Sequence, residues 1–312
     1  MFLYEPILIE EIIKKASNAR QFIAESESEY EKMLDTVTAS ISQNSGEKPF
    51  ILISGPSGSG KTTSGLKIKE KLNAAGYDTH ILSLDNYFHP ITDEERPLFE
   101  ANKLDLESPL RLDSDLLNSQ LRDMMNGKDV ELPEFDFVTN NRKKSGRTLK
   151  LHKGELIILE GIHSLNPCVI ENAEKFSFGI YVSVRSRIEH KKRGESYLLH
   201  PSKIRLARRI IRDCRTRNRI PSDSVALYES VERGENKYIM PYKHRADFNI
   251  DTFFPCELCV YKSMLPPSLP EDEKKHPWLT ELFEVLSELP EIPPSFVNYS
   301  SLLREFIGGG SY

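Results

Sequence analysis

The chain has 312 residues, 38% of them hydrophobic and 29% charged, with a formal net charge of -5. That length suits one large α/β domain with extensions, and the acidic balance speaks against a general nucleic-acid binder, whose footprint is usually basic. No apolar run approaches the roughly 20 residues that a membrane helix needs, and four cysteines are too few for a disulfide scaffold.

At the N-terminus, "MFLYEPILIEEIIKKASNARQF" carries acidic residues inside its apolar stretch. It fits neither a secretory signal nor an Arg-rich, acid-poor transit peptide, so a cytoplasmic protein is expected. Residues 5–43 show helical periodicity through Ile7, Ile9, Ile12, Ile13, Ala16 and Phe22, which predicts a helical arm over 1–47. "SQNSGEKP" (42–49) supplies turn residues, and "FILIS" (50–54) is a short apolar run of buried-strand type. Further strands are predicted at "THILSLD" (79–85), "ELIILEG" (155–161), "FGIYVSV" (178–184) and "ADFNIDT" (246–252). Helical patterns separate them over 62–75, 110–127 and 202–217. Strands alternating with helices imply βαβ units and a mostly parallel, doubly wound sheet with helices on both faces. Residues 86–109 form a polar, Pro-containing excursion, and 185–220 are very basic. From about 264 a linker, "LPPSLPEDEKKHPW", leads to a short helix and a Gly-rich end. Three parts are therefore expected: an arm (1–47), a core (48–263) and a C-terminal extension (264–312).

Gly55, Gly60, Lys61 and Thr62 match G-x-x-x-x-G-K-[ST]. A strand delivers the chain to this loop, whose glycines let backbone N–H groups point at phosphate oxygens. The helix that follows adds the positive end of its dipole. The prediction is a P-loop NTPase fold with ATP on Gly55, Ser57, Gly58, Ser59, Gly60, Lys61, Thr62 and Thr63. Lys61 would reach the β/γ oxygens and Thr62 would offer its hydroxyl to Mg²⁺.

ATPases, GTPases and small-molecule kinases share such a loop; the group beside the γ-phosphate separates them. Asp85 stands first past the apolar run of "THILSLD", at the carboxyl end of a strand where ligands gather in such sheets. It could orient an acceptor hydroxyl and take its proton, or it could cap the next turn. Glu160, closing "LIILE", is a magnesium-side candidate or a solvated strand end. In "KIRLARRIIRDCRTRNR" (203–219), Arg205, Arg208, Arg212, Arg215 and Arg219 step by three and four along one helical face. So much unpaired charge predicts a basic helical lid over about 185–220 that closes on a triphosphate; a solvated or RNA-binding face is the other reading.

"GPSGSGKTT", "SLDNYF", "LPEFDFVTNNR", "ILEGIH" and "RLARRIIRDCRTRNR", in this order, resemble the uridine kinase and phosphoribulokinase group of P-loop kinases over roughly 48–260. "SVERGENKYIMPYKHRADFNIDT" and "SSLLREFIGG" resemble bacterial-type nucleoside kinases, whose threonyl-tRNA-synthetase-like N-terminal region does not appear in 1–47. The resemblance implies an ATP- and Mg²⁺-dependent nucleoside kinase acting on the 5′-hydroxyl of uridine or cytidine. It implies Asp85 as catalytic aspartate and Glu160 as magnesium-side glutamate. Arg205 and Arg208 would face substrate and phosphates, while Arg217 and Arg219 would belong to the lid. Glu107 falls where the group keeps an Asp on the ribose hydroxyls, and Phe88 would line the acceptor pocket. Phe135 and Asn140 stand where the group presents a Tyr and a His to the pyrimidine. That departure leaves a purine nucleoside, a pentose or a polyol open as acceptor. Assembly into dimers or tetramers is a further expectation, with no nucleic-acid partner. A non-catalytic nucleotide-binding regulator is the reading furthest from these.

Other features carry less. "CELC" (Cys256, Cys259) lacks the second pair a structural zinc site needs and reads as buried thiols. His89, His163 and His200 are catalytic candidates by type; His163, just past Glu160, would line the acceptor pocket or be a satisfied loop histidine. Trp278 reads as an anchor for the C-terminal helix. Phe306 and Ile307 suggest a tail docked on the core.

Overall fold

The computed structural model describes residues 5–101, 103–192, 195–216, 219–269 and 276–312. Five parallel strands make the central sheet: β2 (Phe50–Ser54), β3 (Thr79–Ser83), β6 (Leu156–Glu160), β7 (Ser177–Ser183) and β10 (Phe248–Asp251), in the order β10-β7-β2-β6-β3. Every neighbouring pair is parallel. β2 lies in the middle and all five of its residues are buried, which is why "FILIS" shows no polar alternation.

The pleat sends β2 to two cores. Ile51 and Ile53 join Ile158, Ile180 and Val182 on one face, while Phe50 and Leu52 join Ile157, Leu159 and Tyr181 on the other. The first face is covered by α2 (Ala19–Asn44), α3 (Lys61–Ala74) and α6 (Pro201–Thr216), and the second by α5 (Ser114–Met125). The predicted N-terminal helix is broken in two: α1 (Ile9–Ala16) precedes α2, with Asn18 outside helical geometry between them. α2 buries Phe22, Ile23, Tyr30, Leu34, Val37 and Ile41 along one stripe against the core. It is clipped to α3 by Lys67–Glu31 at 2.6 Å, Lys71–Asp35 at 2.7 Å and the Tyr30–Ser64 hydroxyl contact at 2.8 Å.

Two antiparallel hairpins were not foreseen. β4 (Val130–Asp136) pairs with β5 (Asn141–Leu149) over the carboxyl ends of the sheet. β8 (Ile188–Lys192) pairs with β9 (Glu195–Leu199), and β8 also pairs in parallel with the short β1 (Ile7–Leu8). The segment expected to be a helical lid therefore begins as this hairpin and continues as α6, ten of whose residues are buried. α7 (Pro221–Tyr238) follows and packs on α6.

Beyond β10, α8 (Glu257–Tyr261) buries the free thiols Cys256 and Cys259. α9 (Thr280–Glu288) lies after Trp278, whose ring stacks on Tyr228 at 6.2 Å. α10 (Arg304–Ile307) returns to the first core, with Leu302, Leu303, Phe306 and Ile307 all buried. Among the described residues no helix is long and apolar enough to cross a membrane.

Candidate active site

Register across the sheet sets the geometry. Ile53 of β2, Glu160 of β6 and Ser83 of β3 stand in one row at the carboxyl ends. Two residues beyond Ile53 the chain enters the loop at Gly55, and two beyond Ser83 it reaches Asp85. The phosphate loop, Glu160 and Asp85 are thus delivered to one edge of the sheet by strand pairing alone.

The loop is tightly enclosed. A Cβ on Gly55, whose φ is +155°, would lie 1.9 Å from the Val182 carbonyl oxygen, so only glycine fits there. Lys61 is buried and its Nζ donates to the Pro56 carbonyl at 3.2 Å. Thr62 is exposed at the mouth of the loop, and Thr63 is buried behind it. Ser59 is fully buried, with its hydroxyl lacking a partner and its carbonyl accepting from Thr252 Oγ1 at 2.7 Å.

Asp85 is the second residue of a 3-10 turn, Leu84–Tyr87, and its amide donates to the hydroxyl of Ser83, which caps the turn. Burial, opposed by Lys61, and the charges of Asp85 and Glu305 push the Glu160 carboxyl up to about 7. Burial and Glu235 push Glu107 likewise to about 7, with Asp85 adding to the rise against Arg209 and Lys61. The charges of Asp85 and Lys61 act on both acids, so these four groups lie near one another at the carboxyl ends of the sheet. A cleft where acids repel one another beside an exposed Thr62 hydroxyl suits a magnesium ion.

Glu107 is held from two sides. His163, 1% exposed, shares its Nε2 proton with the Glu107 carbonyl at 2.9 Å, and burial lowers the imidazole to about 4. The neutral ring donates from Nε2, which leaves Nδ1 a buried acceptor without a partner. On the other side Gly234 of α7 permits the approach, since a Cβ there would meet the Glu107 Cβ at 2.3 Å.

The β4–β5 hairpin sets two aromatic rings against Phe88, three residues past Asp85. Phe88, Phe135 and Phe137 pack edge to face, with ring centroids 5.1–6.3 Å apart. Arg142 of β5 ties the hairpin down, donating to Asp113 Oδ2 at 2.8 Å and to the carbonyls of Tyr87 and Phe88 at 3.1 and 3.0 Å. Asn86 Oδ1 accepts from the Phe135 amide at 3.2 Å. Asn140 occupies the hairpin turn with φ +52°, a conformation that itself favours Asn, and its carbonyl accepts from Ile91 N.

The arginines require a correction. The face of α6 is not unpaired charge awaiting an anion. Arg205 makes a two-pronged pair with Glu235, at 2.6 and 2.7 Å, and donates to the Ser57 carbonyl at 3.0 Å. Arg208, wholly buried, pairs with Glu257 at 2.6 and 3.0 Å and donates to the carbonyls of Gly58 and Thr252. Both brace the loop from behind, which removes Arg208 from contact with an acceptor. Asp213, fully buried, gathers Arg212 at 3.1 Å and Arg219 at 3.9 Å. Arg217 lies outside the described residues. One arginine the periodicity passed over also reaches the loop. Arg209 donates to the Ser57 hydroxyl at 3.0 Å, and its Nε lies 3.4 Å from Asp213 in a buried ion pair. Its charge is felt at Glu107.

Residues 50–258 match the model of the Phosphoribulokinase / Uridine kinase family. A uridine kinase of Macrococcus caseolyticus is 32% identical over 203 residues, covering 64% of this chain and 86% of that protein. One of Staphylococcus aureus is 30% identical over the same shares. Among solved structures, a possible uridine kinase from Bacillus stearothermophilus is similar with a TM-score of 0.45 and 20% identity, over 72% of this chain and 100% of that one. With the match spanning two thirds of its length, this chain is a member of the Phosphoribulokinase / Uridine kinase family.

Proposed function

We propose that this phosphotransferase is an ATP-dependent nucleoside kinase that moves the γ-phosphate to the 5′-hydroxyl of uridine or cytidine. One observation supports the reading: the phosphate loop, Asp85 and Glu160 gather at the carboxyl ends of the sheet, and the charges of Asp85 and Lys61 act on both Glu160 and Glu107. The names of the relatives support the acceptor class.

Each residue then has a task. Lys61 and the loop amides hold the triphosphate, and Arg209 stands where its guanidinium can meet the transferring group. Thr62, Asp85 and Glu160 would hold magnesium, which neutralises charge on the phosphate oxygens. Asp85 orients the acceptor hydroxyl and takes its proton. Glu107 accepts hydrogen bonds from the ribose hydroxyls. Phe88, Phe135 and Phe137 offer faces and edges on which a base can stack. A second reading, a kinase of a purine nucleoside, pentose or polyol, is favoured by the apolar Phe135 and by Asn140 being occupied as a turn residue.

ADP release with Mg-ATP, measured against a panel of nucleosides, pentoses, phosphopentoses and polyols, tests both. Turnover with uridine or cytidine that Asp85→Asn abolishes, while ADP binding persists, is the expected result. Turnover confined to another acceptor keeps the chemistry and replaces the substrate. No turnover with any acceptor, with ATP bound, would sink the kinase reading.

A further inference from the structure

The C-terminal tail carries an anion into the phosphate loop. Glu305 Oε2 accepts from the Thr63 hydroxyl at 2.6 Å and from the Thr63 amide at 3.3 Å. That amide belongs to the first turn of α3, where the N–H groups are free to receive phosphate oxygens and the dipole favours negative charge. A carboxylate therefore sits on donors that a nucleotide's phosphate would use.

This placement is built rather than incidental. Leu302 packs on Gly60 so closely that a Cβ there would lie 2.8 Å from its Cδ1. Phe306 sits over the Arg208 guanidinium at 4.9 Å. Arg304 holds the turn by donating to the carbonyls of Val297, Pro294 and Gly308 at 2.6, 3.1 and 3.2 Å. Glu305 itself is half-buried, and among the described residues no Lys or Arg forms an ion pair with it. The other carboxylate on the loop differs. Glu235 accepts from the Ser57 amide at 3.1 Å but is neutralised by Arg205. Glu305 is thus the loop carboxylate that can swing out while the apolar anchor on either side of it stays in place.

We propose that Glu305 sets the nucleotide affinity of this site by competing, as an internal anion, for the Thr63 donors. The inference rests on the nucleotide reading of the 55–62 loop. A bound nucleotide takes the amide and hydroxyl of Thr63, and the Glu305 side chain rotates toward solvent. If the carboxylate holds Thr63 in about nine molecules of ten, apparent affinity falls about tenfold below that of the uncovered loop.

Titration calorimetry of Mg-ADP and of adenosine with the wild-type chain, Glu305→Gln, Glu305→Ala and Glu305→Asp tests this. The Gln and Ala variants are expected to bind Mg-ADP about tenfold more tightly, with adenosine binding unchanged because it carries no phosphate. Glu305→Asp keeps the charge and the fold but withdraws the carboxylate by one methylene, so it should gain a smaller part of that factor. Equal or weaker ADP binding in all variants that melt like the wild type overturns the proposal, as does an equal gain for adenosine. Failure of the nucleotide reading has its own signature: no ADP heat from any of the four proteins, which removes the basis of the inference as well.

Discussion

Substituting Glu257 by Gln removes the charge that neutralises Arg208 in a place water does not reach. Both side chains of the pair are fully buried, and the guanidinium also donates to Gly58, Thr252 and sits under Phe306. Breaking one half of a buried pair costs about 3–5 kcal/mol, because the surviving charge is left uncompensated. The remaining carbonyl partners of Arg208 place the expected loss at the lower end, about 3 kcal/mol, or roughly 4–5 °C in Tm for a chain of this size. Arg208→Met should lose a comparable amount by stranding Glu257. The double variant Arg208→Met, Glu257→Leu strands no charge and should lie well above the sum of the two singles. Urea unfolding of the four proteins closes the cycle. A coupling below about 0.5 kcal/mol, the scatter expected of independent sites, would refute the view that Arg208 braces the loop through Glu257. So would a Glu257→Gln chain as stable as the parent.

Gly234→Ala should drive its new methyl into Glu107, raising the acceptor KM several-fold with the ATP KM unchanged; steady-state kinetics in both substrates decides it. Arg142→Lys cannot reproduce the guanidinium's three bonds to Asp113, Tyr87 and Phe88, so the aromatic roof should loosen and acceptor KM rise, again at constant ATP KM. For Glu160, a folded-state value of about 7 against the ordinary carboxyl value near 4.5 means that between these pH values the folded chain holds a proton which the unfolded chain has lost. Its favourable contribution is therefore complete below about pH 4.5 and disappears as pH rises through 7. Glu160→Gln should gain stability relative to the parent at pH 8 and show no gain near pH 4, as read by denaturation midpoints in the absence of metal; a gain independent of pH would contradict the assignment.

What could be read from residues alone was the sheet and the cradle. "FILIS", "LIILE" and "FGIYVSV" announce themselves because strands buried on both faces need no polar alternation, and a loop motif between such a strand and a helix has few other uses. The hairpin β4–β5 escaped because "NRKKSGRTL" is almost wholly polar. Its strand character comes from pairing and from the anchor at Arg142 rather than from a buried face. The arginines were misjudged for a related reason. Spacing by three and four finds a helical face, but Glu235 and Glu257, which neutralise it, lie 30 and 49 residues further on in other helices. Arg209 sits one step off the stripe, and only the fold brings it to the Ser57 hydroxyl. For Glu305 there was a hint, since "REFIGG" looked like a docked tail, yet nothing local indicates that its acid meets Thr63.

The interleaving of distant segments around the loop has a consequence for biosynthesis. Gly60 is translated early, but the residues that enclose it arrive late: Glu235, Thr252 and finally Leu302, 242 positions downstream. At about 5–20 residues per second the ribosome needs roughly 12–50 s to supply them. During that interval the glycine loop is exposed without its braces, and the parallel sheet is incomplete, because its edge strand β10 has not emerged. The braced cradle therefore closes only after synthesis has passed Leu302, long after the loop itself has been made.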